Sequence, residues 1–467
     1  MSTPKHSLLA ILGLILVTAA ALAAMGPALT PNTPSPGGGS LTVATEVVQD
    51  KVLKGGDGEV TVALDLEAGP LPGADRPAQQ ATDLVIVLDR SGSMEGKKLN
   101  DARQAVMGLL DRLTAEDRLA LVTYSNGVQI RLPLVAMTPS QRHQALSVAG
   151  EIRAGGGTNL GAGLQQGIEM LTRTAAGGRQ RKLILISDGL ANQGVTDPVA
   201  LGRMASVALE NRFAISTVGV GLDFNEVLMT AIADRGAGRY HFLEDPQVFA
   251  RVFETELQAT RQVAATNVAI RIPLEPGVRL VDAGGYPIGL EEDAAVLHPG
   301  DLLAGQHRTL YLKFQVPTGK EGEIVLGRVQ MQCRQGGKSV AIQAPQPLTV
   351  ACVADTAAVM ASIKKDSWEN QVVQEEFSRL KEEVAGDIRS GDKDRAQARI
   401  QEYEERQTTL NTVVGSAKVA ENLATDVQVL RDQVDETFAG PAAAVAEKKK
   451  QAAKTLQYEG YQLRRNK

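Results

Sequence analysis

Between Asp83 and about Thr260 the chain repeats one pattern, a short apolar run followed by a stretch of helical periodicity. Leu84 to Leu88 is apolar throughout, as a strand covered on both faces must be. Leu99, Ala102, Val106, Leu109 and Leu113 then recur at three- and four-residue intervals and predict a helix. Leu119 to Tyr124, Leu183 to Ile186 and Ile215 to Val220 repeat the buried-strand signal. Helical segments near Leu160 to Leu171, Pro198 to Asn211 and Asn225 to Asp234 separate or follow them. A last strand is expected at Arg239 to Phe242 and a last helix from Pro246 to about Thr260. Strands alternating with helices in this order predict a doubly wound, mostly parallel sheet with helices on both faces, over residues 81–262.

The flanks follow other periods. Val60, Val62, Leu64 and Leu66 alternate with mostly polar or small residues, marking a half-buried strand. Beyond Val263 the alternation returns at Val268 to Ile272, Leu310 to Val316, Ile324 to Gln332 and Val340 to Gln343, with Gly and Pro between. Residues 263–355 are therefore expected to form a small β-sandwich, which the strand near Val60 joins for want of another partner. From Thr356 to the C-terminus the pattern is helical and charged. Val373, Phe377, Leu380, Val384 and Ile388 form one apolar stripe, Ser390-Gly391-Asp392 interrupts it, and Ala396, Ile400 and Tyr403 begin a second. Val419, Leu423, Val427, Leu430 and Val434 form a third. Residues 356–467 read as a helical hairpin or coiled-coil region with a basic tail, which is either solvated and frayed or set against an acidic surface. The fold class is thus multi-domain: α/β, then β, then α.

At the start, Lys5 and His6 precede an uncharged apolar run from Leu8 to Met25 that contains Ala21-Leu22-Ala23. A basic end, an apolar stretch and small residues are the marks of an export signal, and about 18 apolar residues also suffice to span a bilayer. Residues 1–26 are therefore read as a signal peptide or a retained membrane anchor, and the protein as exported to the periplasm, cell envelope or exterior. Residues 27–80 then comprise a Pro/Gly/Ser/Thr-rich linker and the first strand of the sandwich.

Composition excludes more than it assigns. The 467-residue chain is 43% hydrophobic and 22% charged with a formal net charge of -5, so it offers no general attraction to nucleic acid. Its two cysteines, Cys333 and Cys352, have no metal-ligand spacing; they are read as either one disulfide or two buried thiols.

Candidate chemistry sits at the carboxyl ends of three strands, the edge where open α/β sheets collect ligands. Asp89-Arg90-Ser91-Gly92-Ser93 follows the first strand, and alternate residues of a tight loop there present one carboxylate and two hydroxyls. Gly155-Gly156-Gly157-Thr158-Asn159 brings a backbone close and adds the Thr158 hydroxyl. Ser187-Asp188-Gly189 ends another strand with a second carboxylate. Asp89, Ser91, Ser93, Thr158 and Asp188 are hard oxygen donors that suit Mg²⁺, or Mn²⁺ or Ca²⁺, and suit zinc or copper poorly. With only two of the five charged, the ion is left short of one strong anionic ligand, which an Asp or Glu of a protein partner would supply. Met94 and Glu95 adjoin the site and are candidates for its rim.

The order DxSxS, GGTN, SDG, with Val218 to Asp223 and Gly236 to Tyr240 after it, resembles a von Willebrand factor type A domain with an intact metal-ion-dependent adhesion site. The likeness covers about Asp83 to Thr260. With the flanks, it is similar to exported bacterial proteins of this type and more distantly to inter-alpha-trypsin inhibitor heavy chains. The resemblance implies a metal-bridged contact with a protein, in which the site residues bind the ion directly or through water.

Taken singly, each residue also has a structural account. Asp89 and Asp188 suit turn caps, Ser91 and Ser93 suit N-caps of the helix near Lys97, and the glycines suit a plain loop. An enzyme is the weaker alternative. Phosphoryl transfer from Asp89 wants a second carboxylate two residues on, where Ser91 stands. No Walker-type or GxGxxG loop follows a strand. None of the five histidines pairs with a nucleophile by a local signature, and His241 reads as a structural ring. The remaining alternative is an exported scaffold that binds through its helical region.

Overall fold

In the computed structural model the described residues are 40–70, 81–174, 177–243 and 249–465. The apolar run at Leu8 to Met25 and the linker at 27–39 lie outside them. Among the described residues no helix is long and apolar enough to cross a membrane.

Three strands open the described chain: β1 (Leu41–Val47), β2 (Lys51–Leu53) and β3 (Glu59–Ala68). The α/β unit follows with β4 (Thr82–Asp89), α1 (Lys97–Leu110), β5 (Arg118–Tyr124), β6 (Val128–Ala136), α2 (Pro139–Gly150), α3 (Leu160–Thr172), β7 (Gln180–Ser187), α4 (Pro198–Glu210), β8 (Ala214–Val220), α5 (Glu226–Arg235), β9 (Ala237–Leu243) and α6 (Phe249–Arg261). Its sheet has the order β6-β5-β4-β7-β8-β9, parallel except for the edge strand β6. All eight residues of β4 are buried, because alternate side chains enter different cores. Leu84, Ile86 and Leu88 pack with α1, α2 and α6, whereas Val85 and Val87 pack with α3, α4 and α5. This explains the unbroken apolar run.

The hairpin strand β6 and helix α2 carry no clear pattern in the sequence. β6 buries only Leu132 fully and contains Pro133, which an edge strand tolerates; α2 buries only Ala145 and Ala149.

The third part comprises β10 (Val263–Pro273), β11 (Arg279–Ala283), β12 (Gly289–Glu291), β13 (Ala294–Leu297), β14 (Leu302–Leu303), β15 (His307–Gln315), β16 (Gly322–Gly327), β17 (Gln330–Gln335), β18 (Lys338–Gln343) and β19 (Leu348–Val353). β3 pairs with β15 in the sheet β1-β3-β15-β11, so the early strand does find its partner here. Two further sheets, of six and three strands, line the same apolar core. The stretch from Ile324 to Gln332, expected as one strand, is two strands in different sheets. The break falls at Gly327, where φ is +138° and a Cβ would stand 2.1 Å from the Pro273 carbonyl oxygen. Cys333 and Cys352 are both buried free thiols.

The C-terminal part runs through α7 (Thr356–Met360), α8 (Lys365–Asn370), α9 (Phe377–Ser390), α10 (Lys393–Val414), α11 (Ala417–Glu421), α12 (Val427–Thr437) and α13 (Ala442–Arg465). The three predicted stripes meet in one core around Val384, Ile400 and Leu430, joined by Trp368 and Leu456. The solvated reading of the tail is corrected at Arg464 and Arg465, where the alternative, contact with acidic groups, holds. Arg465 is fully buried, paired with Asp234 and bonded to the carbonyl oxygens of Gly284 and Gly285. Tyr461 joins the core beneath α3 to α5. Helix α13 is thus part of the folded body, because its charges have buried partners that lie far away in sequence.

Candidate functional site

The sheet's winding reverses between β4 and β7, and the loops after these two strands face each other at that switch point. Asp89 closes β4 with no exposure. Its Oδ1 accepts the Ser91 amide at 2.8 Å and its Oδ2 accepts the Ser187 hydroxyl at 2.7 Å. The turn-cap role weighed from the sequence is therefore real, and it also fixes the carboxylate. Ser91 and Ser93 do not cap α1, whose N-cap is Gly96. Instead their hydroxyls lie 3.0 Å apart, and Ser93 Oγ donates to Asp188 Oδ1 at 2.8 Å.

The glycine loop, expected at the end of a strand, instead follows α2, and it is tied to the same place by its backbone. Gly155 N donates to the Arg90 carbonyl at 2.8 Å and Gly92 N to the Gly156 carbonyl at 3.0 Å. Asn159 caps α3 through the Ala162 amide, leaving Thr158 to face the site. The Thr158 amide is held by Asn192 Oδ1 at 2.9 Å. A Cβ built on Gly189 would meet Ser93 Oγ at 3.2 Å and Thr158 Oγ1 at 3.5 Å, which places these hydroxyls around one point. Asp89, Ser91, Ser93, Thr158 and Asp188 are thus brought together from three loops. Ser93 is exposed while Asp89, Ser91, Thr158 and Asp188 are buried, so the cluster opens to solvent on the Ser93 side.

Two carboxylates buried this close repel each other. Burial first, and then the Asp188 charge, push the Asp89 carboxyl up, against hydrogen bonds from Ser91 and Ser187. A cation relieves this, and the structure supplies one: Lys98 Nζ lies 2.5 Å from Asp188 Oδ2. Among the described residues no group of three or more His, Cys, Asp or Glu side chains is set for a metal. Any ion at this edge would therefore rest on hydroxyls as much as on carboxylates, a donor set for a hard divalent cation.

Sequence reasoning passed over Lys98, Ser187, Asn192 and Asn126, whose Oδ1 accepts the Gly157 amide. Ser187 stood inside the quoted SDG motif, but nothing local marked its bond to Asp89. Met94, taken as a rim candidate, is fully buried in the core, while Glu95 is exposed. His241 is structural, with Nε2 2.8 Å from Glu256.

The comparison with protein families decides what this unit is. Residues 83–255 match the von Willebrand factor type A domain. This VWA domain carries the additional strands and C-terminal helices described above.

Among curated relatives, an uncharacterized protein of Synechocystis is 27% identical over 59% of this chain and 67% of its own length. YfbK of Escherichia coli is 29% identical over 50% of this chain and 42% of its own. Inter-alpha-trypsin inhibitor heavy chain H3 of Mesocricetus auratus is 32% identical over 44% of this chain, which spans 24% of that protein. Among solved structures, a von Willebrand factor type A protein from Catenulispora acidiphila covers 92% of this chain and 99% of its own, with a TM-score of 0.69 at 21% identity. At that identity the likeness shows the fold alone, and it extends well beyond the VWA domain.

Proposed function

We propose that this protein is a divalent-metal-dependent protein-binding module in which Asp89, Ser91, Ser93, Thr158 and Asp188 hold one Mg²⁺, or Mn²⁺ or Ca²⁺. An Asp or Glu carboxylate of a protein partner completes the ion's shell. The observation that carries this reading is the hydroxyl pair Ser91 and Ser93, with Ser93 donating to the buried Asp188, at an edge open to solvent. A bound ion neutralises the two carboxylates and leaves a position on the Ser93 side. There a partner's acid is charge-matched and a neutral side chain is not.

The same donors give little support to an enzyme. Both carboxylates are already taken up, Asp89 by Ser91 and Ser187 and Asp188 by Ser93 and Lys98, so the centre is built to hold a ligand rather than to take a proton. The apolar run at Leu8 to Met25 supports export, with the module at the cell surface or in the periplasm. The helical-scaffold alternative is disfavoured, because the apolar stripes of α9 to α12 are spent on the protein's own core.

Calorimetric titration of EDTA-stripped protein with MgCl₂ tests the first half. One ion per chain is expected in the wild type and none in Asp89→Ala or Ser93→Ala. Capture of envelope proteins from the source cell tests the second half, and binding indifferent to EDTA and to Asp89→Ala would sink it.

A further inference from the structure

The loop that carries Asp188 runs on into Leu190, a residue 57% exposed. Val227, in the first turn of α5, is 50% exposed and faces the same hollow. Large apolar side chains left open together mark surfaces that something covers. Between them lies a groove of about 590 Å³, with Leu222 and Phe224 on one wall and Ala446 and Ala453 of α13 on the other.

Its charge is the opposite of the chain's. Arg389, Lys449, Lys450 and Lys454 line it, against Glu226 as the one lining carboxylate among the described residues. Glu226 is shared by Lys454 at 2.8 Å and Arg389 at 2.6 Å, and Lys450 reaches Asp223 at 2.9 Å. Four cations therefore face two carboxylates, on a protein with a net charge of -5.

The groove adjoins the metal loops. Leu190 is two residues past Asp188. Gly221, next to Leu222, packs on the lysine that holds Asp188: a Cβ there would lie 3.2 Å from Lys98 Cε.

We propose that this groove is the second half of the partner-binding surface. An extended acidic segment of a partner protein lies along it, a large apolar side chain covers Leu190 and Val227, and neighbouring acids meet Lys449 and Lys450. One further carboxylate of the same segment reaches the ion. The proposal rests on the metal-bridge reading and adds the partner's chemistry, an acidic segment punctuated by a bulky apolar residue. It also gives α13 a role in recognition, since without that helix the groove has one wall.

The test is a phage-displayed library of random dodecapeptides, panned on the full chain in MgCl₂, with the enriched peptides synthesised and titrated by fluorescence polarisation. Enriched sequences should place Asp or Glu beside Leu, Ile or Phe. Their affinity should fall at least about tenfold in Leu190→Ser/Val227→Ser and in Lys449→Glu. Both variants should keep wild-type melting temperature and Mg²⁺ affinity, which guards against misfolding. Peptides lost with EDTA and Ser93→Ala but untouched by the groove variants overturn the groove and spare the metal bridge. Peptides that survive EDTA yet are lost in the groove variants overturn the metal bridge, and with it the joint surface. A library that yields no magnesium-dependent binder, or binders without the acidic-apolar pattern, overturns the proposal outright.

Discussion

Lys98 Nζ stands 2.5 Å from Oδ2 of Asp188, while the other oxygen of that carboxylate accepts from Ser93. A tethered ammonium thus shares the carboxylate that a metal ion would use, and it does so from the first turn of the helix that follows the DxSxS loop. Any ion entering the cluster competes with it.

Replacing that ammonium should have two opposite effects. In Lys98→Met the metal-free protein loses about 1–3 kcal/mol, since Asp188 is left buried beside Asp89 without its cation. Saturating MgCl₂ should restore the loss and bind more tightly than in the wild type, as the ion no longer displaces a lysine. Thermal melts with and without MgCl₂, together with calorimetric titration, read both effects. Equal or weaker Mg²⁺ affinity in the variant would refute the competition.

Helix α3 lies against the sheet through a glycine that stands in for a side chain. A Cβ on Gly163 would come within 2.6 Å of Tyr124 Cδ1, and Tyr124 Oη donates to the Ile186 carbonyl just before Ser187 and Asp188. Gly163→Ala should therefore cost about 1–3 kcal/mol by overpacking. Mg²⁺ affinity should fall with it, since the strain reaches the site. A lowered urea midpoint at unchanged slope is the expected record.

Arg465 fastens α13 to the rest of the protein through Asp234 and two glycine carbonyls. Removing one partner of a buried ion pair strands the other, so Arg465→Met should lose about 3–5 kcal/mol. The loss should appear as a lower melting temperature and as earlier proteolysis of the segment before α13. Wild-type resistance in the variant would show that the helix docks without this clamp.

Glu256 provides a pH signature remote from the Asp89–Asp188 cluster. Burial pushes its carboxyl up, but Lys182, His241 and Arg239 outweigh burial and hold it well below the usual range. A carboxyl depressed on folding contributes fully above its unfolded value of about 4.3. That contribution is lost as pH falls from there through the folded value. Glu256→Gln should thus be about 3–5 kcal/mol less stable near neutrality, with the gap to wild type closing in acid. Urea midpoints measured from pH 7 to pH 3 test the convergence.

Much of the α/β unit is legible in the sequence because its signals are local. A run such as Leu84 to Leu88 is apolar at every position only if both faces are covered, and the helix around Leu99 to Leu109 repeats at its own period. DxSxS and SDG each stand at the end of a strand, which already sets two loops at one sheet edge, whereas GGTN follows α2 and is brought there by backbone bonds to Arg90 and Gly92. What needed the tertiary structure is whatever depends on a partner far off in sequence. Lys98 looks like any helix-surface lysine until Asp188, ninety residues later, is placed beside it. Ile324 to Gln332 alternates like one strand, and only the approach of Pro273 at Gly327 divides it. The basic C-terminus reads as solvated because charge is normally expelled to water. Lys454 and Arg465 are instead buried, and Arg464 partly so, because Glu226, Asp234 and Glu382 wait for them on other elements. Local pattern determines which faces are apolar and where the chain turns. Which buried charge meets which is decided only when the packed elements exclude water, and with it the alternative partner of every charge.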